Sequence, residues 1–170
     1  IGPGGFINIS QNARTVVFSG TFTAGGLELA VDGGQLRIVR EGKTPKFCAQ
    51  VEQITFAGKV AAAVGKPVLY VTERCVFELT RDGLELTEVA PGIDVERDIL
   101  ALMPFRPLMR RVRAMDASIF GACAMDLKAR LLDLPLAPDD PDQERVVRDV
   151  ADAVAAFAGQ SNVRDKGQGR

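Results

Sequence analysis

Two short runs, Val76-Phe-Glu-Leu-Thr80 and Leu84-Glu-Leu-Thr-Glu88, are joined through Arg81-Asp82-Gly83. Apolar and polar side chains alternate along both with a period of two. Asp-Gly favours the positive backbone angles of a tight reversal, so the three segments predict an antiparallel β-hairpin. A second pair, Leu27-Glu-Leu-Ala-Val31 and Gln35-Leu-Arg-Ile-Val-Arg40, flanks Asp32-Gly33-Gly34 and predicts another. Arg14-Thr-Val-Val-Phe-Ser19 is rich in β-branched residues and ends at Gly20, which predicts a strand. Pro67-Val-Leu-Tyr-Val-Thr72 is mostly apolar and reads as a strand buried on both faces.

Helical signals lie between and after these strands. Lys59-Val-Ala-Ala-Ala-Val64, closed by Gly65, predicts a short helix with a glycine stop. Asp94 is placed to cap a helix over Val95–Leu102 that stops before Pro104. A later helix starts at Asp140-Pro141, with an apolar stripe through Val146, Val147, Val150, Ala151, Val154 and Ala158. Strands interleaved with helices predict an α/β layer architecture: an open mixed sheet with antiparallel hairpins, flanked by helices. The expected organisation is one lobe over 1–136, a C-terminal helix over 137–159, and a polar tail over 160–170 that reads as frayed.

Composition narrows the chemistry. The chain has 170 residues, a formal net charge of -1 and no histidine. Near-neutral charge argues against a general electrostatic grip on nucleic acid or on an anionic membrane. Without histidine there is no Ser-His-Asp or Cys-His pair in this chain, and no site is expected for a His-ligated metal. Cys48, Cys75 and Cys123 are far apart and odd in number, which reads as reduced thiols in the core of a protein in a cytoplasmic setting. No apolar run reaches the roughly 20 residues of a membrane helix. The first residue is Ile rather than Met, so the sequence reads as a fragment or a processed product.

Several stretches carry a family resemblance. They are Gly4-Gly-Phe-Ile-Asn-Ile-Ser-Gln-Asn12, Gly20-Thr-Phe-Thr-Ala-Gly-Gly-Leu-Glu28 and Gln50-Val-Glu-Gln-Ile-Thr-Phe-Ala-Gly-Lys59. Val68-Leu-Tyr-Val-Thr-Glu-Arg-Cys-Val-Phe77 and Val89-Ala-Pro-Gly-Ile-Asp-Val-Glu-Arg-Asp-Ile-Leu100 continue them. Together they resemble the C-terminal part of family I CoA-transferases of the acetate, propionate and 3-oxoacid type, nearly continuously from Gly2 to about Met109. The likeness weakens from Met109 to Met125, and nothing after Leu136 carries it.

The resemblance implies transfer of CoA from an acyl-CoA to acetate or another short-chain acid. In that family a glutamate attacks the thioester, and a glutamyl-CoA thioester forms through an anhydride. That glutamate is expected upstream of Ile1, so the chain alone is expected to be inactive and to need its N-terminal half. Coenzyme A is implied as substrate, with no permanently bound cofactor, and a homo-oligomer is implied as the assembly. A non-catalytic assembly module and an acyl-CoA hydrolase on the same fold are the alternatives.

By the same resemblance, a backbone amide at Gly4 or Gly5 donates to the thioester oxygen, while Pro3 has no N–H to give. An ordinary tight turn has the same pattern. Gly25 and Gly26 are candidates for the acyl or pantetheine pocket, or equally for a turn before a strand. Lys43, Lys46 and Lys59 are candidate phosphate contacts, against a plain reading as solvated charges. Glu41-Gly42 reads as a turn, and Glu73-Arg74 and Glu96-Arg97 as structural ion pairs or surface charges. Tyr70 reads as core. The Asp139-Asp140-Pro141-Asp142 cluster reads as a helix start rather than a metal site.

Overall fold

The computed structural model describes residues 4–121, 123, 125 and 127–132. The expected helix over 137–159, its Asp139–Asp142 start and the tail over 160–170 lie outside the described residues. The chain divides into two units, Ile1–Met125 and Asp126–Arg170.

Among its described residues the first unit contains nine strands: β1 (Val16–Ser19), β2 (Thr23–Ala24), β3 (Glu28–Asp32), β4 (Gln35–Arg40), β5 (Thr44–Pro45), β6 (Val68–Val71), β7 (Cys75–Thr80), β8 (Gly83–Val89) and β9 (Arg113–Ala114). Its α-helices are α1 (Phe6–Asn12), α2 (Gly58–Ala63) and α3 (Val95–Asp98). The second unit has α4 (Leu127–Leu132) among the described residues.

Five strands form one mixed sheet in the order β1-β6-β7-β8-β9. β6, β7 and β8 run antiparallel to one another, while β1 joins β6, and β9 joins β8, in parallel. The α/β class and both expected hairpins are present. β3 and β4 pair on their own, as do β2 and β5.

The expected period-two burial fails at the start of β7, where both faces are covered and Cys75, Val76 and Phe77 are all buried. Phe77 faces Leu86 across the hairpin, and neither is exposed to solvent. These two, with Phe22, Ile99 and Met103, make one core cluster. Val16, Ala61 and Val68 make a second, under α2. Leu36, Ala90, Met115 and Phe120 make a third, which seats the β3–β4 hairpin on the sheet.

Local signals place most helix ends. Gly65 takes φ +70 just after α2, as a glycine stop requires. The Asp94 side chain accepts from the Arg97 N–H at 2.8 Å and caps α3. The expected helix over 95–102 is shorter, however. Ile99 leaves helical geometry at φ -122, ψ -67, and a 3₁₀ turn over Leu100–Leu102 follows. The Ile99 side chain is completely buried, so packing outweighs helix continuation there. α1 has only weak helix formers, but Lys66 Nζ donates to the Ser10 and Gln11 carbonyls at 3.0 and 2.6 Å. A cation thus satisfies the carbonyl end of that helix.

Candidate functional site

Strands β1 and β6 are parallel, so both end on the same edge of the sheet, at Ser19 and Val71. In open α/β sheets that edge is where ligands bind. Register places Phe18 beside Tyr70, and their rings stack at 5.0 Å with an interplanar angle of 22°. The Phe56 ring meets Phe18 edge-on at 5.4 Å, and Phe6 approaches it at 5.9 Å.

Phe6 is the first residue of α1, so this contact brings Gly4 and Gly5 next to the aromatic cluster. Gly4 has φ +56, with nothing within 4 Å of a notional Cβ, and both glycines are exposed. Gly5 is the N-cap of α1 and Gly4 precedes it, at the end where helices leave N–H groups without intrahelical partners.

Phe18 and Tyr70 line two cavities. One, of about 230 Å³, lies beyond the strand ends and is lined by Phe18, Ser19, Gly20, Thr21, Lys46, Phe47, Tyr70, Val71 and Thr72. The other, of about 800 Å³, is a trough that shares Phe18 and Tyr70 and is bordered by Phe6, Phe56 and residues of the 48–59 segment. The Tyr70 hydroxyl has no hydrogen-bond partner among the described residues, and burial pushes its pKa up, so it stays protonated at neutral pH. The expectation of Tyr70 as core thus holds for one face of a half-buried ring that also walls both cavities.

Gly25 and Gly26 adopt φ +78 and +96 and form a turn. The Gly25 carbonyl accepts from the Lys43 N–H at 3.2 Å, and the Gly26 carbonyl from Arg40 Nε at 3.0 Å. Neither glycine is among the residues lining the smaller cavity. Lys43, Lys46 and Lys59 are all exposed. Lys46 stands at the rim of the smaller cavity, and Lys59 borders the trough.

Glu41 is the carboxylate nearest in pattern to a nucleophile, and its surroundings argue against that role. Arg74 holds it with two hydrogen bonds, at 2.8 and 3.0 Å, and the Thr23 hydroxyl and Gly42 N–H donate to it as well. The Arg74 guanidinium beside Glu41 lowers its carboxyl pKa, opposed by partial burial. A carboxylate tied down in this way is a poor attacking group.

Arg74 itself is completely buried. It also donates to Glu73 at 2.7 Å and to the Asp98 carbonyl at 2.9 Å, and lies 4.8 Å over the Phe22 ring. Glu73 in turn accepts from the Phe22 N–H at 2.8 Å. The reading of Glu73-Arg74 as a structural pair is therefore right but incomplete, because Arg74 is a hub for four segments. Glu96 and Arg97 do not pair with each other. Arg97 bonds to Asp98 at 2.7 Å, and Glu96 to Arg106 at 3.1 Å.

Sequence reasoning did not single out Phe18, Thr21 or Phe47 as cavity walls. Each sits next to a quoted family stretch or in one, but their convergence depends on strand register. Among the described residues no group of His, Cys, Asp and Glu could hold a metal ion, and no helix is long and apolar enough to cross a membrane.

The sequence is 45% identical over 126 residues to the acetate CoA-transferase YdiF of Escherichia coli strain K12, a match covering 74% of this chain and 24% of YdiF. The crystal structure of the acyl-CoA transferase YdiF apoenzyme from Escherichia coli O157:H7 superposes with a TM-score of 0.71 at 45% identity, over 74% of this chain and 24% of that one. These residues are homologous to part of a CoA-transferase. The caffeate CoA-transferase of Acetobacterium woodii is 48% identical over 121 residues, which is 71% of this chain and 23% of that enzyme. A thioester complex of the O157:H7 CoA-transferase with CoA gives a TM-score of 0.70 at 46% identity, over 73% and 24% of the two chains. No protein-family model matches the chain. The chain therefore spans about a quarter of the length of the CoA-transferases it matches.

Proposed function

We propose that the chain is a portion of an acyl-CoA:carboxylate CoA-transferase, carrying one side of the active site while the nucleophilic glutamate lies in the rest of the protein. The observation that carries this reading is agreement of sequence and fold over the same stretch: 45% identity with a TM-score of 0.71. The arrest of Glu41 by Arg74 supports the second part, since it leaves that carboxylate unsuited to attack.

In this reading a glutamate carboxylate attacks the acyl-CoA thioester, forming an acyl-glutamyl anhydride and releasing CoA thiolate. The thiolate attacks the glutamyl carbonyl, releasing the first acid and leaving a glutamyl-CoA thioester. The acceptor carboxylate then runs the same steps in reverse. Charge builds on the thioester oxygen at each attack, and the Gly4 or Gly5 amide is the donor this chain would aim at it. Gly25 and Gly26 shape a turn that packs on Lys43 and Arg40. The acceptor is a free carboxylic acid; one relative is named for acetate and another for caffeate.

Ile9, Ile54 and Val64 are each at least 70% exposed, which suits surfaces covered by the remainder of a longer chain or by another copy. The isolated chain is expected to self-associate, and a clean monomer by light scattering at high concentration would count against this part of the reading.

The test of the main reading is to express the full reading frame and assay CoA exchange between acyl-CoA and added acids. Borohydride reduction of the enzyme incubated with acyl-CoA should trap the glutamyl-CoA thioester. No exchange with any donor and acceptor pair sinks the proposal. CoA release that is indifferent to added acid would mark a hydrolase instead.

A further inference from the structure

We propose that the cavity beyond the ends of β1 and β6 is a subsite for a flat aryl or arylalkyl carboxylic acid, with Lys46 holding the carboxylate and the Phe18, Phe47 and Tyr70 rings holding the aromatic group. This rests on the CoA-transferase reading only for what happens to the acid after it binds; the binding claim stands on the cavity alone.

Size comes first. At about 230 Å³ the cavity lies just below the roughly 300 Å³ at which pockets for drug-sized ligands begin. It is too small for a nucleotide, and a two-carbon acid would leave most of it filled with water. One aromatic ring with a short side chain matches it.

Chemistry comes second. Three aromatic side chains line the space, and the Phe18–Tyr70 stack at 22° fixes two of them as one rigid apolar wall. Phe47 is held from behind by Phe22 at 4.9 Å and Phe77 at 5.1 Å, so that wall is anchored in the core.

Polarity comes third. The Lys46 ammonium is 3.4 Å from where a Cβ on Gly20 would stand, and it forms no ion pair with the described residues. A free cation at the rim of an apolar slot suits an anionic head on an apolar body. Glycine at position 20 keeps that approach open.

The composition makes the test direct. Tyr70 is the sole tyrosine and there is no tryptophan, so the intrinsic emission of the 170-residue chain comes from the cavity wall itself. Titration with 3-phenylpropionate should change Tyr70 emission saturably, and acetate should bind roughly tenfold or more weakly, because it buries much less apolar surface. Lys46→Met should weaken 3-phenylpropionate by about threefold, as expected for a partly exposed ion pair. Thr21→Phe, which fills the slot from its exposed rim, should abolish the response, with circular dichroism confirming the fold. Equal responses to the two acids, no response to 3-phenylpropionate, or a response that survives Thr21→Phe would each overturn the proposal. The two readings fail separately. Binding at Tyr70 without CoA exchange in the full protein sinks the transferase reading alone, and exchange with acetate without arylalkyl binding sinks the subsite alone.

Discussion

Arg74 donates from both terminal nitrogens to the Glu41 carboxylate, at 2.8 and 3.0 Å, across 33 positions of chain. The guanidinium is fully buried, whereas 32% of the Glu41 side chain is exposed. A charge this deep is tolerable only because its donors are satisfied, and truncating it strands Glu73 and Glu41. Arg74→Met is expected to cost about 3–5 kcal/mol, read as a shift in the urea midpoint. Adding Glu41→Leu to Arg74→Met should restore part of the loss, because the two sites share one network. Strict additivity of the two effects would show that the pair is not coupled.

Glu41 and Asp98 make stability depend on pH on the acid side. Each has a folded pKa below its ordinary value, Glu41 through Arg74 and Asp98 chiefly through Arg97, with burial opposing both. A depressed carboxylate contributes stability above its unfolded pKa and loses it as pH falls through the folded one. Melting temperature should therefore hold from neutrality to about pH 5 and fall below about pH 4. Glu41→Gln should melt lower at neutral pH and fall less on acidification, so that the two curves converge. Parallel curves would place the acid sensitivity elsewhere.

The three thiols should separate by reactivity. The expectation of core thiols holds for Cys75 alone: Cys48 and Cys123 are exposed, while Cys75 is buried and burial pushes its thiol up to about 12. The thiolate is the reactive form, so Cys75 is inert at neutral pH. An aromatic disulfide reagent should titrate Cys48 and Cys123 in the native chain and reach Cys75 only after denaturation. Rapid native reaction at Cys75 would contradict the burial.

Gly92 and Gly33 distinguish steric clash from backbone strain. Gly92 has φ +90, and a Cβ there would meet the Leu36 carbonyl at 2.6 Å; Gly33 has φ +56 with open space around it. Gly33→Ala should cost about 1–2 kcal/mol, the penalty for a left-handed alanine. Gly92→Ala should cost clearly more, because the Pro91–Gly92 segment must also lift off β4, where the Leu36 N–H donates to Pro91 at 2.7 Å. Equal melting shifts would remove the clash from the account.

What could be read in advance was local. Gly65 and Asp94 act within a few residues of themselves and do what their chemistry predicts, and the expected hairpin forms too, although its turn is Arg81-Asp82 with Gly83 already paired to Thr80. The family stretches pointed to the sheet architecture as well. What could not be read depends on partners far along the chain. No signal near Phe18 says that Tyr70 will lie beside it, because parallel pairing leaves no turn in the sequence between the strands. Arg74 looked like half of an adjacent pair because its other partners, Glu41 and Asp98, come from elsewhere. The break at Ile99 was invisible for the same reason: the core that claims its side chain is assembled from Phe22, Phe77 and Leu86.

The parallel pairing of β1 with β6 also orders events in time. The β6–β7 and β7–β8 reversals are tight, so those strands can find each other at small entropic cost. β1 gains its partner only when the whole stretch from Gly20 to Pro67 has been closed into a loop, the kind of non-local contact that slows folding. Within these four strands synthesis and assembly then run in opposite directions: β1 is made before β6, β7 and β8 but docks after they have paired, and the rim it shares with β6 is completed only at that step.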